Sequence, residues 1–173
     1  MEDTQSLKIS YSTDFCYKDN DFSNPICITS SFDCQVLLWQ LENPHPIRTK
    51  YMPNQLVCPP NIYSVYGYKS QILVSTETGH ILCFGQKDIK KPKYIIDGHL
   101  GKVMRSVFAK FNEKYILSCS TDKTFAVWNH HQRNELGQAS FVSKFDIGTK
   151  PNWIESSINN QIFIGDITPN LNL

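Results

Sequence analysis

Three aromatic residues set the rhythm of this chain. Trp39, Phe84 and Trp128 each close a short strand-like run, in "QVLLWQ", "HILCFG" and "TFAVWN", and they stand 45 and 44 residues apart. One further step lands on positions 172 and 173, in "QIFIGDITPNLNL", which again reads as strand, turn, strand. A cycle of this length filled with short strands restricts the fold more than any single motif does. Each unit is one small sheet that cannot bury its own faces, so successive units must stack.

The runs between these landmarks are of one kind. "PICITSSF", "CQVLLWQL", "NIYSVYGY", "QILVSTET", "HILCFGQ", "YIIDG", "RSVFAKF", "KYILSCS", "TFAVWN", "WIESSI" and "QIFIGDI" are short and rich in Ile, Val, Leu, Phe and Tyr. They are bounded by Asn, Asp, Gly, Pro or Lys, the residues that turn a chain. "QSLKISYSTDF" reads as a first strand ahead of them. No segment reads as a long amphipathic helix. The expected fold is all-β, with four short antiparallel strands per unit, as in a propeller blade. With 173 residues, the chain has room for one ordinary domain with a real core.

Polar residues recur in the same cycle. Asp33 precedes Trp39 by six residues, and Asp122 precedes Trp128 by six; Thr29 and Ser118 each stand four residues before the aspartate. The second unit has Val74, Thr78 and Phe84 at those places, so its polar set is lost. Gly98-His99 introduces the third unit, whereas no matching His precedes the first.

These features resemble the WD-repeat (WD40) β-propeller family. The likeness is fullest over residues 98–129, where Gly98-His99, "SVFAKFNEKYILSCSTDKT" and Trp128-Asn129 span one family unit. Residues 25–42 match the latter half of a unit, and residues 61–86 and 152–173 match by strand rhythm. The family's closing Trp-Asp is replaced by Trp39-Gln40, Phe84-Gly85 and Trp128-Asn129. The resemblance implies WD40 blades, four-stranded antiparallel sheets, over approximate units 5–42, 61–86, 98–129 and 152–173. It also implies that His99, Ser118, Asp122 and Trp128 are hydrogen-bonded in series, with Thr29, Asp33 and Trp39 as a partial set. The residue types suit such a chain: indole donates, hydroxyl does both, imidazole relays and carboxylate accepts. A hydrolase triad is disfavoured, because Ser118 sits inside a strand run without a G-x-S-x-G elbow.

Closed propellers have about 4–8 blades, and this chain reads as about 3.5 units. It is therefore expected to be an incomplete propeller: a piece of a longer WD-repeat protein, or a ring completed by self-association. Pairing of residues 1–15 with residues 162–173 would be the alternative closure.

The remaining features mostly exclude. A net charge of +1 advertises neither nucleic acid nor lipid. There is no apolar run of transmembrane length, and "MEDTQSLKIS" has no apolar signal core. Cys16, Cys27, Cys34, Cys58, Cys83 and Cys119 form no C-x-x-C pair. Cys27, Cys83 and Cys119 read as small buried hydrophobes with free thiols, which points to a reducing compartment, cytoplasm or nucleus. Walker, dinucleotide and H-E-x-x-H motifs are missing. No catalytic residue, cofactor site or metal ligand is assigned.

Lys87, Lys90, Lys91 and Lys93 read as a solvated turn, the alternative being a phosphate or acidic-partner contact. His130-His131 reads as a surface pair rather than zinc ligands. Trp153 reads as packing between blades; exposed, it would be a partner anchor. "WNHHQR" lacks the Trp-Asp-x-Arg ending of propellers that dock on cullin-type ligase adaptors, Arg133 coming two residues late.

The expected function is a non-catalytic protein–protein interaction scaffold or adaptor within a larger complex, with other proteins as partners, no membrane and no direct nucleic-acid contact. Two alternatives stand beside it. One is an accessory subunit of an RNA- or tRNA-modifying enzyme. The other is a propeller enzyme, which would need Asp, Glu, Arg or His converging on a central channel; the sequence offers no such cluster.

Overall fold

A computed structural model describes residues 12–18, 21–31, 34–40, 48–51, 61–89, 91–135 and 137–166. They form strands β1 (Ser12–Lys18), β2 (Asp21–Ser30), β3 (Gln35–Gln40), β4 (Arg48–Tyr51), β5 (Ile62–Tyr68), β6 (Gln71–Thr76) and β7 (His80–Gly85). These are followed by β8 (Tyr94–Asp97), β9 (Val103–Phe108), β10 (Tyr115–Ser120), β11 (Thr124–Arg133), β12 (Ala139–Asp146), β13 (Pro151–Ser156) and β14 (Ile162–Asp166). No helix occurs among the described residues.

Within each sheet every strand pairs antiparallel with its neighbour in sequence. The result is three four-stranded meanders, β1–β4, β5–β8 and β9–β12, and the hairpin β13-β14. This is the blade form: the first strands β1, β5, β9 and β13 lie side by side, so the sheets stack in chain order. Side chains stitch the stack together. Ser12 Oγ accepts from Val65 N (3.1 Å), Asp14 Oδ2 from Gly67 N (3.0 Å) and Ser156 Oγ from Lys110 N (2.9 Å).

Stacking explains why some strands are continuously apolar rather than alternating. In β6, Ile72 and Val74 face the first sheet, packing with Ile28, Val36, Leu38 and Phe84. Leu73, between them, faces the third sheet, with Val107, Ile116, Leu117 and Trp128. Both faces of the second sheet are covered, so both sets of side chains must be apolar. Each fully buried one contributes roughly 1.5–3 kcal/mol over exposure.

The 45-residue cycle is also written in the backbone. Cys34, Gly79 and Lys123, again 45 and 44 residues apart, all adopt positive φ (65°, 88° and 70°). Each ends the turn between the second and third strands of its sheet, where a left-handed residue lets the hairpin close. At Gly79 a Cβ would run into the His99 carbonyl oxygen, so here glycine is demanded by space as well as by φ.

Two strands are additions to the sequence reading: β4 and β12, the outer strands of the first and third sheets. An outer strand pairs on one edge only and needs no unbroken apolar run. In β12, Phe141, Val142 and Phe145 are 59%, 45% and 47% exposed. Of the segments expected to close a ring, residues 1–11 and 167–173 lie outside the described residues. The described parts pair locally instead, β1 with β2 and β14 with β13.

Candidate functional site

The polar residues singled out in the third unit meet inside one blade. Ile116 pairs directly with Trp128 across β10 and β11, so Ser118, two residues along, is the diagonal neighbour of Trp128 on the same face. Trp128 Nε1 donates to Ser118 Oγ at 2.8 Å. Ser118 Oγ lies 2.8 Å from His99 Nε2, and His99 Nδ1 lies 3.0 Å from Asp122 Oδ2. The proton positions follow by elimination. The Asp122 carboxylate can only accept, so Nδ1–H donates to it, and Nε2 of the neutral ring then accepts the Ser118 proton while the Ser118 oxygen accepts from the indole. Gly98 is needed beside them, because a Cβ there would strike the Trp128 ring.

Asp122 is the hub. It sits in the turn Thr121–Lys123 and accepts through Oδ1 from Thr124 N (3.1 Å) and Thr124 Oγ1 (2.6 Å). Oδ2 takes Leu100 N (3.0 Å), His99 and Lys144 Nζ (3.0 Å). Burial alone would raise its pKa, but the bonds from Thr124, Leu100, Lys144 and His99 outweigh burial and hold it well below the ordinary 3.8. Burial of the His99 ring keeps that residue below the ordinary 6.5, against the raising pull of Asp122. Sequence reasoning missed Lys144: it lies on β12, and only the strand register, which sets it opposite Ala126, brings it to the turn.

The first blade repeats the geometry in part. Cys27 pairs with Trp39, Thr29 is its diagonal neighbour, and Trp39 Nε1 donates to Thr29 Oγ1 at 2.9 Å. Asp33 lies outside the described residues. In the second blade Phe84 is buried in the tryptophan's place and Val74 in the hydroxyl's, while Thr78 instead reaches His80 Nδ1 at 2.8 Å. A buried serine link crosses between the second and third blades, from Ser64 through Ser75 to Ser106, at 3.1 and 2.8 Å.

Other candidates fall differently from their sequence reading. His130 is not a surface residue. It is 6% exposed on β11, its Nε2 donates to the Glu113 carbonyl oxygen at 2.7 Å, and its ring lies against Tyr94 and Phe108. β11 runs on through Arg133, so the pair is in a strand rather than a loop, and alternation buries one histidine and exposes the other. Cys83 and Cys119 are buried, whereas Cys27 is half-buried. Lys87, Lys91 and Lys93 line a hollow of about 230 Å³ with Ser70, Gly85, Gln86 and Asp88; Lys90 lies outside the described residues.

The structure also assembles a cluster that the sequence did not reveal. Trp153, expected to pack between blades, is 52% exposed. The Arg105 guanidinium covers it, 3.7 Å above the ring centroid, and lies 5.5 Å from the Tyr66 ring. Arg105 Nη2 is 3.5 Å from Glu155 Oε2, and Lys110 Nζ is 3.4 Å from Oε1. Asp14 feels both Arg105 and Glu155. Burial raises its carboxyl pKa, against the lowering by the Phe15 and Gly67 amides and by Arg105. Apart from Lys110, just beyond β9, these residues sit on β1, β5, β9 and β13, the first strands of four successive sheets, so only stacking brings them together. Among the described residues no three His, Cys, Asp or Glu side chains gather as metal ligands would.

Comparison with known proteins bears on the third blade most directly. Residues 90–129 match the family model of the WD domain, G-beta repeat. That stretch runs from just before β8 into β11, joining the last strand of one sheet to the first three of the next. Over 145 residues the chain is 26% identical to Protein SUPPRESSOR OF PHYA-105 1 of Arabidopsis thaliana, covering 78% of this chain and 12% of that protein. Over 112 residues it is 28% identical to a WD repeat-containing protein of Dictyostelium discoideum, covering 63% of this chain and 6% of that protein. The chain thus spans about an eighth or less of these relatives' length.

Proposed function

From the premise that this chain is a WD-repeat protein, we propose that it is a non-catalytic interaction module, a stack of blades that presents exposed side chains to other proteins within a larger assembly. The observation that carries this reading is the closed state of the His99–Ser118–Asp122 group. Ser118 is fully buried, its oxygen accepts from Trp128 and its proton is committed to His99. A nucleophile needs an open approach, and this one, fully buried, has none. The group's role is to lock a turn.

Exposed apolar side chains support the other half of the reading. Leu100, in the segment entering the third blade, is 94% exposed, and Trp153 is half exposed on an inner strand. Exposed aromatic anchors on a rigid scaffold are what interfaces use. That both relatives hold the matching stretch within much longer proteins supports a part in an assembly.

The test is affinity capture of the tagged chain followed by mass spectrometry and sizing. A protein partner in near-stoichiometric yield is expected. A chain that captures nothing and instead turns over an ester or carries a bound chromophore would overturn the proposal.

A further inference from the structure

We infer that the Arg105 cluster is a ligand site for a carboxylate on a partner peptide, with Arg105 holding the carboxylate and the open part of Trp153 holding a flat apolar group next to it. This deepens the interaction-module reading and rests on it.

The argument starts from donors and acceptors. The Arg105 side chain is 9% exposed, and a buried guanidinium is costly unless its N–H groups are matched. It carries five such donors. Nε has no partner among the described residues, and the ion pair to Glu155 spans 3.5 Å, longer than the roughly 2.7–2.9 Å of a charge-assisted hydrogen bond. What holds the group is its stack on Trp153, which uses the ring face of the guanidinium and none of its N–H bonds.

The neighbouring acceptors are each partly engaged elsewhere. Glu155 is shared with Lys110 at 3.4 Å. The Asp14 oxygens take the Phe15 amide at 2.8 Å and the Gly67 amide at 3.0 Å. Arg105 Nε is therefore a buried donor left without a partner, and an acceptor from outside completes it. A cationic ligand would meet Arg105 and Lys110 as like charges and could not accept from Nε. A carboxylate matches the guanidinium fork. Trp153 selects what accompanies that carboxylate, because half of its surface is open although it lies on an inner strand.

The experiment uses the whole chain labelled with ¹⁵N-arginine, with the Arg105 Nε–H signal assigned by its loss in Arg105→Gln. Benzoate, benzyl alcohol and benzylammonium are the probes: one flat ring with negative, neutral and positive heads. Benzoate is expected to shift that signal saturably and to bind at least about tenfold more tightly than either control, the scale of one charge-assisted pair. Trp153→Leu, at a half-exposed position, should weaken benzoate about tenfold and guards against loss of fold in Arg105→Gln. N-acetylphenylalanine and N-acetyl-aspartyl-phenylalaninamide then distinguish a chain-terminal carboxylate from a side-chain one; tight binding by either supports the site.

Benzylammonium binding as well as benzoate, or benzoate leaving the Arg105 signal unmoved, overturns the inference. The two readings fail separately. Capture of no partner with the benzoate response intact keeps the site and removes the module. A captured partner that Arg105→Gln does not release, with no benzoate response, removes the site and keeps the module.

Discussion

Lys144 Nζ lies 3.0 Å from Asp122 Oδ2 and 3.0 Å from the Gly98 carbonyl oxygen. Through this contact the outermost strand of the third blade is tied to the turn between its second and third strands and to the segment that enters its first. The network thus extends beyond the His-Ser-Asp-Trp series to Thr124 and Lys144, and it ties β10, β11 and β12 to the segment that enters β9. A buried network of this kind is worth most when every member is satisfied.

Removal of the hub should therefore cost far more than removal of its outer contact. Asp122→Ala strands the Leu100 amide, His99 Nδ1–H and the Thr124 donors, and is expected to lower stability by about 2–4 kcal/mol. Lys144→Met, at a side chain 25% exposed, should cost about 1 kcal/mol or less. Lys91→Ala serves as the neutral reference. Urea denaturation followed by circular dichroism ranks the three, and an Asp122→Ala chain that melts within a degree of wild type would disprove the hub.

Acid should loosen the blade in two stages. His99 and His130 are held below the ordinary 6.5 by burial, so below that pH the unfolded chain binds protons that the folded one refuses, and stability falls as pH falls. Asp122 is depressed as well. Its contribution is present above 3.8 and is lost as pH drops below that value toward its folded pKa. Asp14, raised by burial, works in the opposite sense just above 3.8. The expected melting temperature declines from about pH 6.5 downward, with a second, steeper loss below about 3.8. His99→Gln should flatten much of the first stage; an unchanged slope would show that His99 is not the group refusing the proton.

What the sequence made legible was local. The positions of Ser118, Asp122 and Trp128 follow from one hairpin: a fixed turn makes residues ten apart diagonal neighbours, so spacing alone states the contact. Thr29 and Trp39 obey the same rule. Lys144 was hidden because the pairing of β12 slips twice, between Val127 and Trp128 and between Asn129 and Arg133, and no count along the chain predicts those slips. Asp14, Arg105 and Glu155 were hidden for a different reason. They are far apart in sequence and meet through sheet stacking, which leaves no local spacing to read.

Two glycines should prove irreplaceable for different reasons. Gly79→Ala forces a Cβ onto the His99 carbonyl oxygen at φ 88°, a backbone clash that cannot relax cheaply. Gly98→Ala meets the Trp128 ring, a side chain that can tilt at the expense of its bond to Ser118. The first is expected to cost about 2–4 kcal/mol and the second about 1–3 kcal/mol. Near-ultraviolet circular dichroism should register the Gly98→Ala change through the tryptophan, and a variant with an unaltered tryptophan band would contradict the packing.

Thiol reactivity should divide the cysteines by blade position. Cys83 and Cys119 are buried on β7 and β10, and burial pushes their thiols up to about 11 and about 12. The thiolate is the reacting species, so at neutral pH these two are both shielded and almost wholly protonated. Cys34, at the end of the first blade's turn, is only half-buried. Under native conditions iodoacetamide should modify Cys34 before Cys83 and Cys119, as read by peptide mass spectrometry. Cys83 and Cys119 should react only as fast as their blades open, so that added urea accelerates them steeply and Cys34 little. Modification of Cys119 at the Cys34 rate in native buffer would mean that the core between the second and third blades is open in solution.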